Sequence, residues 1–182
     1  MLAATPLKSI PGPSEDLERI FQQHHGRVYA TAYRVTGSAQ DAEDCLQTVF
    51  LRLLRRQDSL DLSPSPASYL HRAAVNAALD LMRARSRSRS IPLDDLGVPP
   101  AEGELSSPDR RQQDREMRRA LRQAILKLPA KSATIFTMRF LDDTPNREIA
   151  DALRMTQTAV GVAVHRARNQ VQKEMASFVG GQ

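Results

Sequence analysis

Apolar residues recur along this chain at helical spacing, and nowhere do they alternate as a half-buried strand would. Leu17, Ile20, Phe21, Val28 and Val35 predict a first helix that begins after Ser14, with Glu15 and Asp16 at its positive end. Gly37 is a natural stop, and Ser38 caps the next helix. That second helix carries the clearest stripe: Ala42, Cys45, Leu46, Val49, Phe50, Leu53 and Leu54. Residues 58–66 contain Ser63-Pro64-Ser65-Pro66 and read as a loop. A third helix over about 67–85 buries Leu70, Ala74, Ala77 and Leu81. Residues 92–108, rich in Pro, Gly, Ser and acids, read as a linker. Ser107-Pro108 then starts a helix with core positions Met117, Leu121, Ile125 and Leu128, which Pro129 ends. A short helix over 132–141 follows, and Thr144-Pro145 repeats the cap-plus-proline start. The pattern predicts an all-α protein: two small helical bundles joined by a flexible acidic linker.

Charge sharpens this division. The chain has 182 residues and a formal net charge of +5, a balance that suits a polyanionic partner. Residues 1–66 are near balance, whereas 67–91 set Arg72, Arg83, Arg85, Arg87 and Arg89 against Asp80 alone. The linker holds Asp94, Asp95, Glu102 and Glu104 with no base, and base is again in excess after residue 121. Two nucleic-acid-facing modules with an acidic spacer are expected. No apolar run approaches the ~20 residues that span a bilayer, so no membrane insertion is expected. The start of the chain does not read as a secretory signal. Cys45 is the single cysteine and falls inside an apolar stripe, where a thiol packs rather than reacts. A cytoplasmic protein is expected.

The last segment reads as a helix-turn-helix. Residues 148–153 form a short first helix, 154–157 the turn, and Thr158 opens the second helix. Such a pair braces its second helix in the major groove, where base edges are distinguishable. Val160, Val164, Ala167 and Val171 share one face of it, and Thr158, Val162, His165, Arg166 and Asn169 the other. An ordinary helical hairpin with a solvated basic face has the same pattern. On the third helix, Tyr69, Arg72, Asn76, Asp80 and Arg83 line up opposite the core. Tyr can stack a base, Asn can bond a base edge and Arg can hold phosphates. The run from Arg83 through Arg85 to Arg89 extends this face as a flexible phosphate clamp; a solvated helix with a basic tail is the plainer alternative. The second helix turns Asp41, Asp44, Gln47 and Thr48 away from its stripe, with Leu51 outward, a surface that suits a protein partner better than DNA.

In order and spacing these pieces resemble the extracytoplasmic-function (ECF) group of bacterial sigma factors. The resemblance rests on the run from Asp41 to Leu51, on Tyr69-Leu70-His71-Arg72-Ala73-Ala74-Val75-Asn76 with Leu79-Asp80 and Arg83, on Leu128-Pro129, and on His165-Arg166-Ala167-Arg168. It implies a disordered N-terminus over 1–14, a region 2 domain over 15–91, a linker over 92–115 and a region 4 domain over 116–182. The implied partners are core RNA polymerase, through its clamp and flap, and promoter DNA, with an anti-sigma factor as a further candidate. Polymerase docking would fall to Asp41, Asp44, Gln47, Thr48 and Leu51. Melting of the −10 element and capture of a flipped base would fall to Arg52, Arg56, Leu60, Tyr69, Arg72, Asn76, Arg83 and Arg85. The −35 duplex would meet Gln157, Thr158, Val162, His165, Arg166 and Asn169. The family commonly has Glu at Thr48, Trp at Tyr69, a larger aromatic at Leu60 and Gly at Arg154.

Two other classes fit less well. An enzyme would need a site, yet the His residues are scattered, and no phosphate loop or metal-spaced cluster occurs. Neither catalytic nor metal-ligating residues, a cofactor nor a small-molecule substrate is therefore expected. A free-standing DNA-binding regulator would need no docking surface and would usually dimerise, and no dedicated dimerisation helix is present.

Overall fold

The computed structural model describes residues 15–56, 62, 65–88 and 108–179, and among these every regular element is an α-helix. In chain order they are α1 (Glu15–Thr36), α2 (Ala39–Arg55), α3 (Pro66–Ser88), α4 (Pro108–Lys127), α5 (Ala130–Phe140), α6 (Asn146–Leu153) and α7 (Gln157–Val179). The 1–14 segment and most of the expected linker lie outside the described residues. α4 begins at Pro108, so residues 108–115, assigned to the linker from sequence, are helical.

Local chemistry sets the boundaries. Gly37 takes φ 73°, which ends α1 without the Cβ clash an ordinary residue would meet. Ser38 Oγ then accepts from Asp41 N at 3.3 Å and caps α2. Ser65 Oγ accepts from Ser68 N at 3.2 Å and starts α3. At α6 the expected cap fails: Pro145 itself is the N-cap with no side-chain bond, and the Thr144 hydroxyl donates to Asp142 O instead.

α1, α2 and α3 form the first bundle. Val28, Ala32 and Val35 pack with Ala42, Cys45, Val49 and Leu53, and with Leu70, Ala74 and Ala78. Ala32, Ala74 and Ala78 are wholly buried, and such small side chains let helices approach closely. The second bundle packs α4, α5 and α6 around α7, burying Ile125, Ile135, Met138, Ile149 and Val160. Two expected core residues are instead largely exposed, Phe21 on α1 and Met117 on α4. The bundles do not hang apart on a tether as the linker suggested, because α3 packs on α5 and α6.

Candidate nucleic-acid interface

α3 brings most of the expected −10 residues together. Arg52 and Arg56 from α2 and its C-cap converge with Tyr69, Arg72 and Asn76 from α3 around a cavity of about 250 Å3, floored by Val49 and Ala73. The Arg72 guanidinium lies 5.7 Å from the centre of the Tyr69 ring, a cation–π arrangement. Among the described residues the cavity wall holds three guanidinium groups and no carboxylate, so it suits a polyanion. Arg83 stands apart, 3.6 Å from the exposed Asp80. Leu60 lies outside the described residues.

Arg85 is not part of a phosphate clamp. The basic run stays helical to Ser88, and Arg85 turns inward to bond Asp41 Oδ2 at 2.6 Å. This also corrects Asp41, which is 1% exposed and unavailable to a partner protein. Burial raises the Asp41 carboxyl above its ordinary value, and the Arg85 charge offsets this only in part. Arg122 of α4 contributes a further positive charge. Beside them Cys45 is buried, which pushes its thiol to about 12 and leaves it un-ionised at neutral pH.

The rest of the α2 face is as expected: Asp44, Gln47 and Leu51 are exposed, while Thr48 is half-buried. Gln47 and Leu51 border an apolar groove of about 630 Å3 between α1 and α2, together with Leu17, Phe21, Phe50 and Leu54. The α1 side of this groove was missed from sequence, where Phe21 reads as core. Its ring packs edge-on against Phe50 at 4.8 Å and covers one side of the groove.

The helix-turn-helix is formed by α6 and α7. Arg154 adopts φ 52° and ψ 53° between them, the left-handed conformation for which a glycine would be suited. Thr156 Oγ1 accepts from Ala159 N at 3.2 Å and so caps α7, a role the sequence reading left unassigned. Val160, Ala167 and Val171 are buried. Gln157, Thr158, Val162, His165, Arg166 and Asn169 all lie exposed on the outer side. Asn169 Nδ2 meets His165 Nε2 at 3.1 Å, joining two of them. Nothing lies within 4 Å of where a Gly161 Cβ would sit.

The two faces are not equally open. Arg72 donates to Ala152 O at 3.1 Å, and the Thr134 hydroxyl donates to Asn76 Oδ1 at 2.8 Å. Two residues of the α3 cavity are thus held by the second bundle. The contact centres on Asp142, in the turn before α6, whose side chain is 5% exposed. It accepts from Thr31 Oγ1 at 3.1 Å, lies 2.5 Å from His71 Nε2 and pairs with Arg34. Burial alone would raise the Asp142 carboxyl, but hydrogen bonds and charge from His71 and Arg34 outweigh it and hold the group below its ordinary value. Arg27 and Glu148 add a longer contact of 3.8 Å between exposed side chains.

Comparison with known proteins agrees with this architecture. Residues 20–88 match the Sigma-70 region 2 family and residues 118–171 match Sigma-70, region 4. The chain is 26% identical over 172 residues to the ECF RNA polymerase sigma factor SigW of Bacillus subtilis, covering 90% of this chain and 91% of that one. It is 29% identical over 161 residues to the ECF RNA polymerase sigma factor SigE of Mycolicibacterium smegmatis, covering 87% of this chain and 61% of the relative. Its fold is similar to that of the sigma factor RpoE, solved in complex with the anti-sigma factor NepR from Bartonella quintana. That similarity has a TM-score of 0.52 at 18% identity and covers 90% of this chain and 98% of the other. Among the described residues, no helix is long and apolar enough to cross a membrane. With both family regions matched in order, the chain belongs to the ECF group of RNA polymerase sigma factors, which act in transcription initiation.

Proposed function

We propose that this chain docks on core RNA polymerase through the α1–α2 groove, opens the −10 element with α3 and reads the −35 duplex with α7, in the cytoplasm. The observation that carries the reading is the cavity walled by Arg52, Arg56, Tyr69, Arg72 and Asn76. A base turned out of the stack needs an aromatic plane, a hydrogen-bonding edge and positive charge for its phosphates, and the cavity offers all three. Unstacking costs a few kcal/mol, which such a pocket can offset. The groove supports docking: apolar surface bordered by Glu18, Gln22 and Gln47 fits a partner helix better than it fits a nucleic acid. The bare outer face of α7 supports duplex contact. Region 2 then spans 15–91 and region 4 spans 116–182, and an anti-sigma factor is a further partner in this reading.

Run-off transcription with purified core polymerase tests it. The wild-type chain should direct initiation from a subset of promoters in a random library. Asp44→Arg with Gln47→Ala should lose core binding in a pull-down while keeping its helicity. Arg72→Ala with Asn76→Ala should keep core binding but lose open-complex formation. Retention of core polymerase by the docking variant at wild-type affinity would sink the docking assignment.

A further inference from the structure

We propose that Thr31, Arg34 and His71 form a phosphate-binding site on the first bundle, and that Asp142 fills it in the closed form as an internal stand-in for a promoter-DNA phosphate. Three donors from two helices of one bundle converge on a single carboxylate that belongs to the other bundle. In the closed form Thr31 is 1% exposed and the His71 side chain 4%, so there both donors depend on the Asp142 carboxylate rather than on water. Withdrawal of the second bundle leaves these converging donors without their carboxylate, a preformed arrangement that a second anion can occupy. Arg34 is 54% exposed, which leaves the mouth of the site open once the Asp142 turn withdraws. A phosphate oxygen presents the same charge-assisted acceptor as the carboxylate it would replace.

Position argues that this anion is a backbone phosphate. His71 and Arg72 are neighbours on α3, and withdrawal of the second bundle would empty the triad and release Arg72 and Asn76 together. A strand entering the α3 cavity would thus meet a vacated anion site beside it. Asp142 and promoter DNA compete for one surface, and the closed form holds the −10 face in check. This inference rests on the reading of α3 as the −10 face, and the test separates the two.

The full-length chain is compared with Asp142→Asn and with Asp142→Asn/Arg34→Gln. Asp142→Ser replaces the first variant if circular dichroism shows that it has lost helicity. Inorganic phosphate is titrated while the histidine ring nitrogens are followed by NMR, and a single-stranded −10 oligonucleotide is titrated by fluorescence anisotropy. Phosphate should shift the His71 signals in Asp142→Asn, and not in the wild type or the double variant. The oligonucleotide should bind Asp142→Asn on the order of tenfold tighter than wild type, and adding Arg34→Gln should remove most of that gain. A folded Asp142→Asn whose His71 signals ignore phosphate overturns the site even if the oligonucleotide binds. An oligonucleotide gain that survives Arg34→Gln does the same. A phosphate response with no oligonucleotide binding by any variant would overturn the DNA assignment and the −10 reading while leaving an anion site.

Discussion

Arg85→Ala separates two incompatible roles for one arginine. If Arg85 clamps phosphate, its loss weakens DNA binding and spares stability. If it serves Asp41, its loss unfolds the first bundle more easily. Asp41 is 1% exposed and the Arg85 side chain 25%, so removal of the guanidinium strands a carboxylate inside the protein. Breaking a buried pair costs 3–5 kcal/mol as a rule; Arg85 keeps some contact with water and the Arg122 charge remains, so about 2–3 kcal/mol is expected here. For a chain of this size that lowers Tm by roughly 4–12 °C. The defect should depend on pH with a definite sign. Burial already raises the Asp41 carboxyl, and loss of Arg85 raises it further. A folded-state value above the unfolded one makes the penalty full at neutral pH and smaller as pH falls through the folded value. Thermal melts by circular dichroism at pH 7 and near pH 4 should show the gap from wild type narrowing. Asp41→Asn with Arg85→Met, which removes both charges, should be close to neutral. An unchanged Tm for Arg85→Ala, with promoter affinity reduced and its salt slope lowered by about 1, would refute the structural role.

Other outcomes follow from the same geometry. Leu51→Asp places a charge in the α1–α2 groove and should weaken core polymerase binding at least about tenfold by pull-down titration, with Tm nearly unchanged because Leu51 is 45% exposed. Arg154→Gly relieves a left-handed residue and should stabilise the second bundle by about 1 kcal/mol, read as a rise in Tm; a fall would show that the side chain's contacts outweigh the backbone cost. Asp142 faces Thr31 and Arg34 of α1 and His71 of α3, and its depressed carboxyl favours the closed form above the unfolded value of about 3.9. That contribution is lost as pH falls through the folded value, so a fluorescence-transfer pair across the bundles should report opening in acid and no Asp142-driven change between about pH 7 and pH 5. Gly161→Arg should raise affinity for −35 duplexes and steepen the salt dependence, since the position is open and now bears no side chain. Strong wild-type selectivity for a guanine-containing −35 motif, lost in this variant, would contradict that expectation.

What the sequence made legible was local. Gly37 and Ser38 announced a stop and a cap because both act on backbone within a few residues of themselves. The α2 stripe and the outer face of α7 were visible because helical spacing alone sorts their side chains. Asp41 shows where this sorting was overruled by residue type: it lies four residues before Cys45 and eight before Val49, squarely on the buried stripe. Its charge suggests the surface, and only its partner Arg85 explains its burial. That partner stands 44 positions along the chain, and nothing in either local pattern points to the other. Phe21 erred in the opposite direction, since an aromatic at core spacing can equally rim a groove that a second protein would close.

The contact between the bundles lay further out of reach for the same reason. Asp142 and His71 are separated by 71 positions, and each alone reads as an unremarkable loop acid and a helical histidine. The residues that close the molecule, Arg72 and Asn76, are those whose chemistry announced a nucleic-acid face. This overlap has a physical basis. Donors that the closed arrangement shields from water need acceptors, and a backbone carbonyl at Ala152 and a carboxylate at Asp142 supply them. On the proposed reading of α3, the closed arrangement and the −10 interface are two uses of one set of side chains.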